Sequence, residues 1–186
     1  MLEIFSAFGL SASAGLNAYL PLLIVAICAK IGVFHLNEPF DVMTSWWVIG
    51  VLVVLLLIEV LVDKIPAVDT ANDIINTVIR PAAGAILFAA SADIVTDLSP
   101  VLSVVLGILV AGSVHAVKAT ARPAVTASTG GVGNPIVSTI EDLISAVTAL
   151  VSVLLPWLVL LIATMGIVMF LRWRLRRAER RHPSAP

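Results

Sequence analysis

Long apolar blocks separated by short polar segments dominate the chain. The blocks at about 5–29, 45–63, 81–97 and 101–121 are each close to the ~20 residues that an α-helix needs to cross a bilayer. The last block, 136–171, is too long for one ordinary span. The pattern predicts an all-α, polytopic membrane helix bundle.

The last apolar block leaves two arrangements open. One long kinked helix would give five spans, whereas two short helices turning at Pro156 and Trp157 would give six. Six spans put the basic residues between the helices on the same side as the basic C-terminal tail, which agrees with the tendency of Lys and Arg to stay cytoplasmic. The sequence therefore favours six spans with both termini in the cytoplasm.

Prolines and glycines modify this simple pattern. Pro21 predicts a kink in the first span, because its ring removes a helical hydrogen bond near the carbonyl of Asn17. The Asn17 side chain could then contact the freed backbone groups. The stretch "RPAVTASTGGVGNP", 122–135, is predicted to be non-helical.

The segment 64–80 is polar but retains an apolar face at helical spacing. We therefore expect a short amphipathic or re-entrant helix, with Pro81 starting the next span. Placing Pro66 on Pro135 aligns "PAVDTANDIIN" with "PIVSTIEDLIS", which raises the prospect of an internal repeat. Small transporters are often built from such repeats, with broken helices at the repeat interface.

Composition excludes a water-soluble domain. Of the 186 residues, 60% are hydrophobic and 12% charged, whereas soluble domains are about half apolar and a quarter charged. We expect one transmembrane domain, 1–171, and a basic cytoplasmic tail, 172–186. That tail could touch anionic lipid headgroups. Nothing indicates a nucleic-acid partner, and the single cysteine, Cys28, cannot form an intrachain disulfide.

Ionisable residues near the apolar spans point to function, because they are costly in a bilayer and usually face a protein interior or a water-filled cavity. The acids in or beside these spans are Glu59, Asp63, Asp69, Asp73, Asp93, Asp97, Glu141 and Asp142. The basic residues near them are fewer: Lys64, Arg80, Lys118 and Arg122. Some acids are therefore expected to be solvated, protonated or bound to a cation.

Spacing gives some of these residues a local interpretation. Glu59 and Asp63 are four residues apart, and we expect them at a helix end at the membrane interface. Asp93 and Asp97 have the same spacing and are expected in solvent at the outer end. The stripe of His115, Lys118 and Arg122 on the fourth span is open to two interpretations, snorkelling to the headgroups or a buried role.

Three separated motifs resemble one family. "AGLNAYLPLL", "DKIPAVDTANDIINTVIRPAAGA" and "HAVKATARPAVTASTGGVGNPIVSTIED" together resemble the bacterial membrane family catalogued as domain of unknown function 4126, over about 10–172. The resemblance implies a multi-pass protein of the bacterial cytoplasmic membrane. It implies no substrate, and no binding residues can be carried over from it.

We hypothesise a small transporter or channel for a small solute, more readily a cation or a proton-coupled substrate. The residues expected to bind the solute or ion are Asp69, Asp73, Asn72, Thr139, Glu141, Asp142 and Asn17. Those expected as charge partners or anion ligands are Arg80, His115, Lys118, Arg122, Gly131, Gly133 and Asn134. The hypothesis requires Asp73 and Asp142 to share a hydrated pocket.

Two alternatives remain open. In one, Lys118, Arg122 and the glycine-rich turn bind the phosphate group of a lipid or another anion. In the other, the protein is a membrane scaffold that forms homodimers through the small residues of "SASAG" and "AGS". We expect no enzymatic activity, no catalytic residue and no cofactor, while a metal site is left undecided.

Overall fold

The computed structural model describes residues 3–63, 66–92 and 98–181. Over these residues the chain is helical, which confirms the all-α expectation. The helices are α1 (Glu3–Leu16), α2 (Tyr19–Lys30), α3 (Trp46–Val62), α4 (Pro66–Ala92), α5 (Pro100–Thr129), α6 (Asn134–Leu154) and α7 (Pro156–Arg181), with a short 3-10 helix at Phe40–Thr44.

Asn17 separates the first two helices and stabilises the second. Its side-chain Oδ1 accepts hydrogen bonds from the backbone N–H groups of Tyr19 (3.2 Å) and Leu20 (3.0 Å). An asparagine in this position satisfies donors that have no partner within the helix that they start. The sequence predicted a kink at Asn17, whereas the structure shows a full break there; the expected contact of the Asn17 side chain with freed backbone groups is confirmed.

Contacts with α6 and the core show that α1 and α2 form a hairpin. Ser6 lies against Ser152 and Ser13 against Ser145, so α1 runs antiparallel to α6. Leu22 and Val25 of α2 belong to one core cluster with residues of α1, with Ala83 and Leu87 of α4, and with Ala149 of α6. All these partners lie on the side of Asn17 from which α1 enters. α2 therefore turns back beside α1.

The course of α3 leads to the same conclusion. Glu59 of α3 contacts Arg80 of α4, and Asp63 contacts Asn72, so the two helices run antiparallel. Lys30, at the end of α2, lies 4.4 Å from the indole ring centre at the start of α3. Both ends of the α1–α2 hairpin therefore lie at one end of the bundle, here called the first end. The end of α3, the start of α4 and the α5–α6 turn lie at the second end.

The prediction that residues 5–29 form a kinked membrane span is therefore wrong. The segment forms a helical hairpin instead, because α1 starts at the first end and α2 returns to it. A short amphipathic or re-entrant helix was expected at 64–80. Residues 66–80 of that segment are the first part of α4, which continues without interruption through Pro81.

Two further corrections concern the middle of the chain. α5 is 30 residues long and continues through Pro123, so most of the segment predicted to be non-helical is helix. The turn itself is limited to the glycines before α6, where Gly130 and Gly131 have φ values of 61° and 87°. This left-handed backbone favours glycine, which has no Cβ. The turn was found by composition, but its length was overestimated.

The last apolar block forms two helices, α6 and α7, separated at Leu155. Val147 of α6 and Ala163 of α7 line one apolar groove, although a continuous helix would place them about 24 Å apart. α7 therefore folds back towards the second end. The start of α1 and the end of α7 lie at opposite ends of the bundle, whereas the sequence predicted both termini on one side.

Four helical stretches in the described part of the chain are long and apolar enough to cross a membrane: Ile74–Ser91, Pro100–Thr129, Asn134–Leu154 and Pro156–Arg177. α3 is also apolar but has 17 residues. Together with the exposed apolar side chains on α5, α6 and α7, these helices indicate a membrane protein.

Small residues let the central helices approach closely. Ser11 of α1 donates a hydrogen bond to the backbone carbonyl of Gly84 of α4 (2.8 Å), and Ser13 bonds to Ser145 of α6 (2.9 Å). A Cβ on Gly107 of α5 would collide with the carbonyl of Gly84. The "SASAG" segment is thus used inside the bundle, so it cannot be the dimer surface that we expected it to provide.

Candidate ion-pair site at the hairpin tip

The tip of the α1–α2 hairpin ends at a buried group of charged side chains. This ion-pair network consists of the acids Glu59 and Asp63 of α3 and Glu141 of α6, and the bases Arg80 of α4 and Lys118 and Arg122 of α5. The helices align these residues because i, i+4 spacing keeps both acids of α3, and both bases of α5, on one face.

Arg80 forms the deepest pair. It is completely buried, and its Nη2 lies 3.1 Å from Oε1 of Glu59, a side chain that is 2% exposed. Nη1 of Arg80 lies 3.1 Å from Nδ1 of His115. Since Arg can only donate, this contact assigns Nδ1 of His115 as an acceptor, which leaves the Nε2 proton directed to the hydroxyl of Thr77 at 3.2 Å.

Asp63 and Glu141 are bridged by the two cations of α5. Lys118 Nζ lies 3.5 Å from Oδ2 of Asp63 and 2.9 Å from Oε2 of Glu141. Arg122 Nη2 lies 3.8 Å and 2.9 Å from the same two oxygens. Asp63 also contacts Arg80 at 3.6 Å and accepts a hydrogen bond from Asn72 at 2.6 Å. One carboxylate therefore joins all three cations.

The broken backbone at the hairpin tip is bound to this network at successive residues. Lys118 donates to the carbonyl of Leu16 (3.0 Å), which the break leaves without a helical partner. The N–H of Ala18 lies 3.5 Å from Oε1 of Glu59. Between them, the Asn17 amide donates to Oδ1 of Asp142 at 2.9 Å. Side chains that carry charge thus hold the tip in place.

The part of the network that the structure describes contains three acids and three bases, and burial makes an unpaired charge very costly. Some buried side-chain atoms of the described residues have no hydrogen-bond partner, and they include Glu59 Oε2 in the network and Asn76 Nδ2 and Ser138 Oγ. Buried polar groups normally have partners, so these atoms could contact a ligand.

The structure brings together many of the residues expected from the sequence. Those that lie in the network or hydrogen-bond to it or to the hairpin tip are Asn17, Asn72, Arg80, His115, Lys118, Arg122, Glu141 and Asp142. Thr139 is exposed, and its hydroxyl donates to the carbonyl of Pro135. The side chains of Asp69 and Asp73 lie outside the described residues, as do Asp93 and Asp97.

The predicted anion loop has a structural use of its own. Asn134 and Thr126 exchange a side-chain hydrogen bond across the α5–α6 turn, with Asn134 Nδ2 lying 3.0 Å from Thr126 Oγ1. The N–H of Gly133 donates to the hydroxyl of Thr129 at 3.1 Å. Gly131 lies in the turn with positive φ. These contacts close the turn, while Lys118 and Arg122 are directed to the acids of the network.

Glu59 and Asp63 were placed wrongly by sequence reasoning, which left them at a solvated interface. Both are buried and paired. Their shared helix face was visible in the sequence, but the cations opposite it come from α4 and α5, so no local signal could show the pairing. Thr77, which contacts His115, was not singled out at all. Among the described residues, no group of His, Cys, Asp and Glu could hold a metal ion.

Comparison with known proteins gives one match. Neither the curated proteins nor the solved structures include a chain that matches this one. One family model, described as "Domain of unknown function (DUF4126)", matches residues 4–176. The match covers all seven helices except the last residues of α7 and the first residue of α1. The chain therefore belongs to this family of unknown function.

Proposed function

We propose that the protein is a small transporter of the bacterial cytoplasmic membrane, in which proton binding to the ion-pair network drives movement of a small solute. The observation that carries the proposal is the attachment of the α1–α2 hairpin tip to a buried network of ion pairs. Discontinuous helices of this kind form the substrate and ion sites of many secondary transporters.

In the orientation that we propose, the second end of the bundle faces the cytoplasm. The C-terminal part of α7 supports this, because it carries Arg172, Arg174, Arg176 and Arg177 and basic segments stay cytoplasmic. The loop with Glu38 and Asp41 then lies outside, together with Trp46 and Trp47, which are 73% and 87% exposed. Helices α3 to α7 would cross the membrane, and α1 and α2 would not.

The network suggests how a proton could move the hairpin tip. Protonation of Glu59 or Asp63 would remove one negative charge from around Arg80 and leave it paired with the other acid alone, which is unfavourable for buried charges. Arg80 and the remaining acid would then rearrange. Since the Ala18 N–H contacts Glu59 and the Leu16 carbonyl contacts Lys118, this rearrangement would release the tip. Release of the tip would open the site to the solute.

Proteoliposomes provide the test. Vesicles containing a pH-sensitive dye are given a proton gradient and a panel of amino acids, sugars, carboxylates, phosphate and metal cations. We expect at least one solute to accelerate proton entry, and Glu59→Gln and Asp63→Asn to abolish that acceleration. Asp41→Asn removes an exposed acid in the loop outside the network, and this control should leave the flux unchanged.

The proposal fails if no solute in the panel affects proton entry into vesicles that contain correctly folded protein. It also fails if Glu59→Gln and Asp63→Asn both transport at the native rate. Folding of each variant is checked beforehand by its elution as a single species in size-exclusion chromatography.

A further inference from the structure

Glu141 differs from the other acids of the ion-pair network in its position. Its side chain is 14% exposed, whereas those of Glu59 and Asp63 are 2% and 1% exposed. It lies seven residues after the start of α6, about 10 Å along the helix. Among the described acids of the network, Glu141 is thus the most exposed to solvent.

The contacts of Glu141 converge on one of its carboxylate oxygens. A single oxygen, Oε2, lies 2.9 Å from Lys118 Nζ and 2.9 Å from Arg122 Nη2. Both cations are at least 95% buried and are fixed from behind by Asp63. An ammonium group and a guanidinium group converging on one oxygen are typical ligands of carboxylate and phosphate groups.

We propose that Glu141 occupies a substrate site, and that the carboxylate or phosphate group of a small anion displaces it from Lys118 and Arg122. This inference rests on the proposed transport function and names its substrate class. Asp63 would remain in place, because it is buried and also bound by Arg80 and Asn72. Glu141, already partly exposed, would turn towards water.

The charge of the bound anion then determines how its transport is coupled to protons. A bound monoanion adds one negative charge to the charges that the ion-pair network already holds. A proton taken up by a network acid would cancel that added charge, because an extra buried charge is strongly disfavoured. One monoanion would therefore cross with one proton, and the transport step would carry no net charge.

Binding tests the site without requiring transport. The full-length protein is titrated with sodium lactate, sodium phosphate and sodium chloride in detergent, and with phosphatidylglycerol in nanodiscs, and its unfolding temperature is followed. A ligand that binds the folded state raises that temperature. We expect lactate, phosphate or the lipid, but not chloride, to stabilise the native protein, and the ligand that does so identifies the source of the oxyanion.

Glu141→Gln is the decisive variant, because it removes the competing carboxylate and keeps the side-chain shape. We expect its oxyanion affinity to rise at least about tenfold, since a tethered group competes at high effective concentration. Glu38→Gln, in the exposed loop, is the matched control and should bind as the native protein does. No stabilisation by any of the three oxyanions, or equal affinity in Glu141→Gln and native protein, would overturn the inference.

The two proposals can fail separately. If the oxyanion binds more tightly to Glu141→Gln but no solute moves protons in vesicles, the site stands and the transport function does not. If proton-coupled flux occurs only with solutes that lack a carboxylate or phosphate, the transport function stands and this substrate class is wrong.

Discussion

At the residue scale, Arg80 is the central cation of the buried part of the ion-pair network. It is fully buried and contacts Glu59, Asp63 and His115. Removing one member of a buried pair leaves the other charge without compensation, which typically costs about 3–5 kcal/mol. Arg80 is therefore a structural member of the site whatever solute the protein moves.

Arg80→Gln should lower the free energy of unfolding by about 3–5 kcal/mol, measured by denaturation in detergent. The same change at Arg177, an exposed residue of α7, should have no measurable effect. The double variant Glu59→Gln with Arg80→Gln should recover part of the loss, because it removes both charges of the pair. If the double variant is as unstable as the sum of the single variants, the pairing is not what stabilises this region.

Sequence reasoning at this scale succeeded where the cause was local. Asn17 was identified because Pro21, four residues later, removes a helical hydrogen bond near its carbonyl and so predicts a kink there. The expected excess of acids over bases stays a prediction, because Lys64 and the side chains of Asp69, Asp73, Asp93 and Asp97 lie outside the described residues. Within the described network, Lys118 contacts both Asp63 and Glu141, and the sequence alone could not show this sharing.

At the element scale, α4 and α5 meet along a glycine contact. A Cβ on Gly107 would collide with the backbone carbonyl of Gly84. This contact brings α4 and α5 together just beyond Arg80 and His115, whose side chains bond across the two helices. The geometry of the ion-pair network therefore depends on how closely these helices pack.

Gly107→Ala should destabilise the protein by about 1–3 kcal/mol, the usual effect of adding volume to a packed interface. Gly50→Ala in α3 is the matched control, because a Cβ there would meet no atom within 4 Å. That control should be neutral or slightly stabilising, since alanine favours the helix over glycine. Equal unfolding temperatures for the two variants would contradict the importance of the glycine contact.

The positions of the prolines explain why some helix boundaries were predicted wrongly. Pro81 and Pro123 both lie inside helices, whereas the break at Leu155 just precedes a proline that starts α7. A proline in a membrane helix is tolerated where neighbouring helices and local adjustments satisfy the freed backbone groups. That outcome depends on tertiary packing, so the sequence alone could not separate a tolerated proline from a helix boundary.

At the scale of the whole molecule, the α1–α2 hairpin changes the topology. An even number of spans was inferred from charge, and the sides assigned to the basic tail and the outer tryptophans are compatible with the fold. The hairpin places the N-terminus at the end of the bundle opposite to the one that the sequence predicted. Apolarity is equally high in a span and in a re-entrant pair covered by protein, so hydropathy could not distinguish them.

Cysteine labelling of intact cells decides this topology. In a Cys28→Ser background, a membrane-impermeant thiol reagent should label Glu3→Cys and Glu38→Cys from the same side. Ser128→Cys, near the end of α5, should react only after the membrane is permeabilised. A crossing first segment would instead place Glu3→Cys with Ser128→Cys, and that pattern would refute the hairpin.

The close approach at Gly84 and Gly107 also divides the molecule into parts that can and cannot move. Two backbones in direct contact have no layer of side chains over which to slide, so α4 and α5 should move together as one rigid unit. The α1–α2 hairpin is attached to that unit by polar contacts at its tip, and α7 lines an apolar groove with α1 and α6. Any motion that admits a solute would therefore be a movement of the hairpin and of α7 relative to the α4–α5 pair.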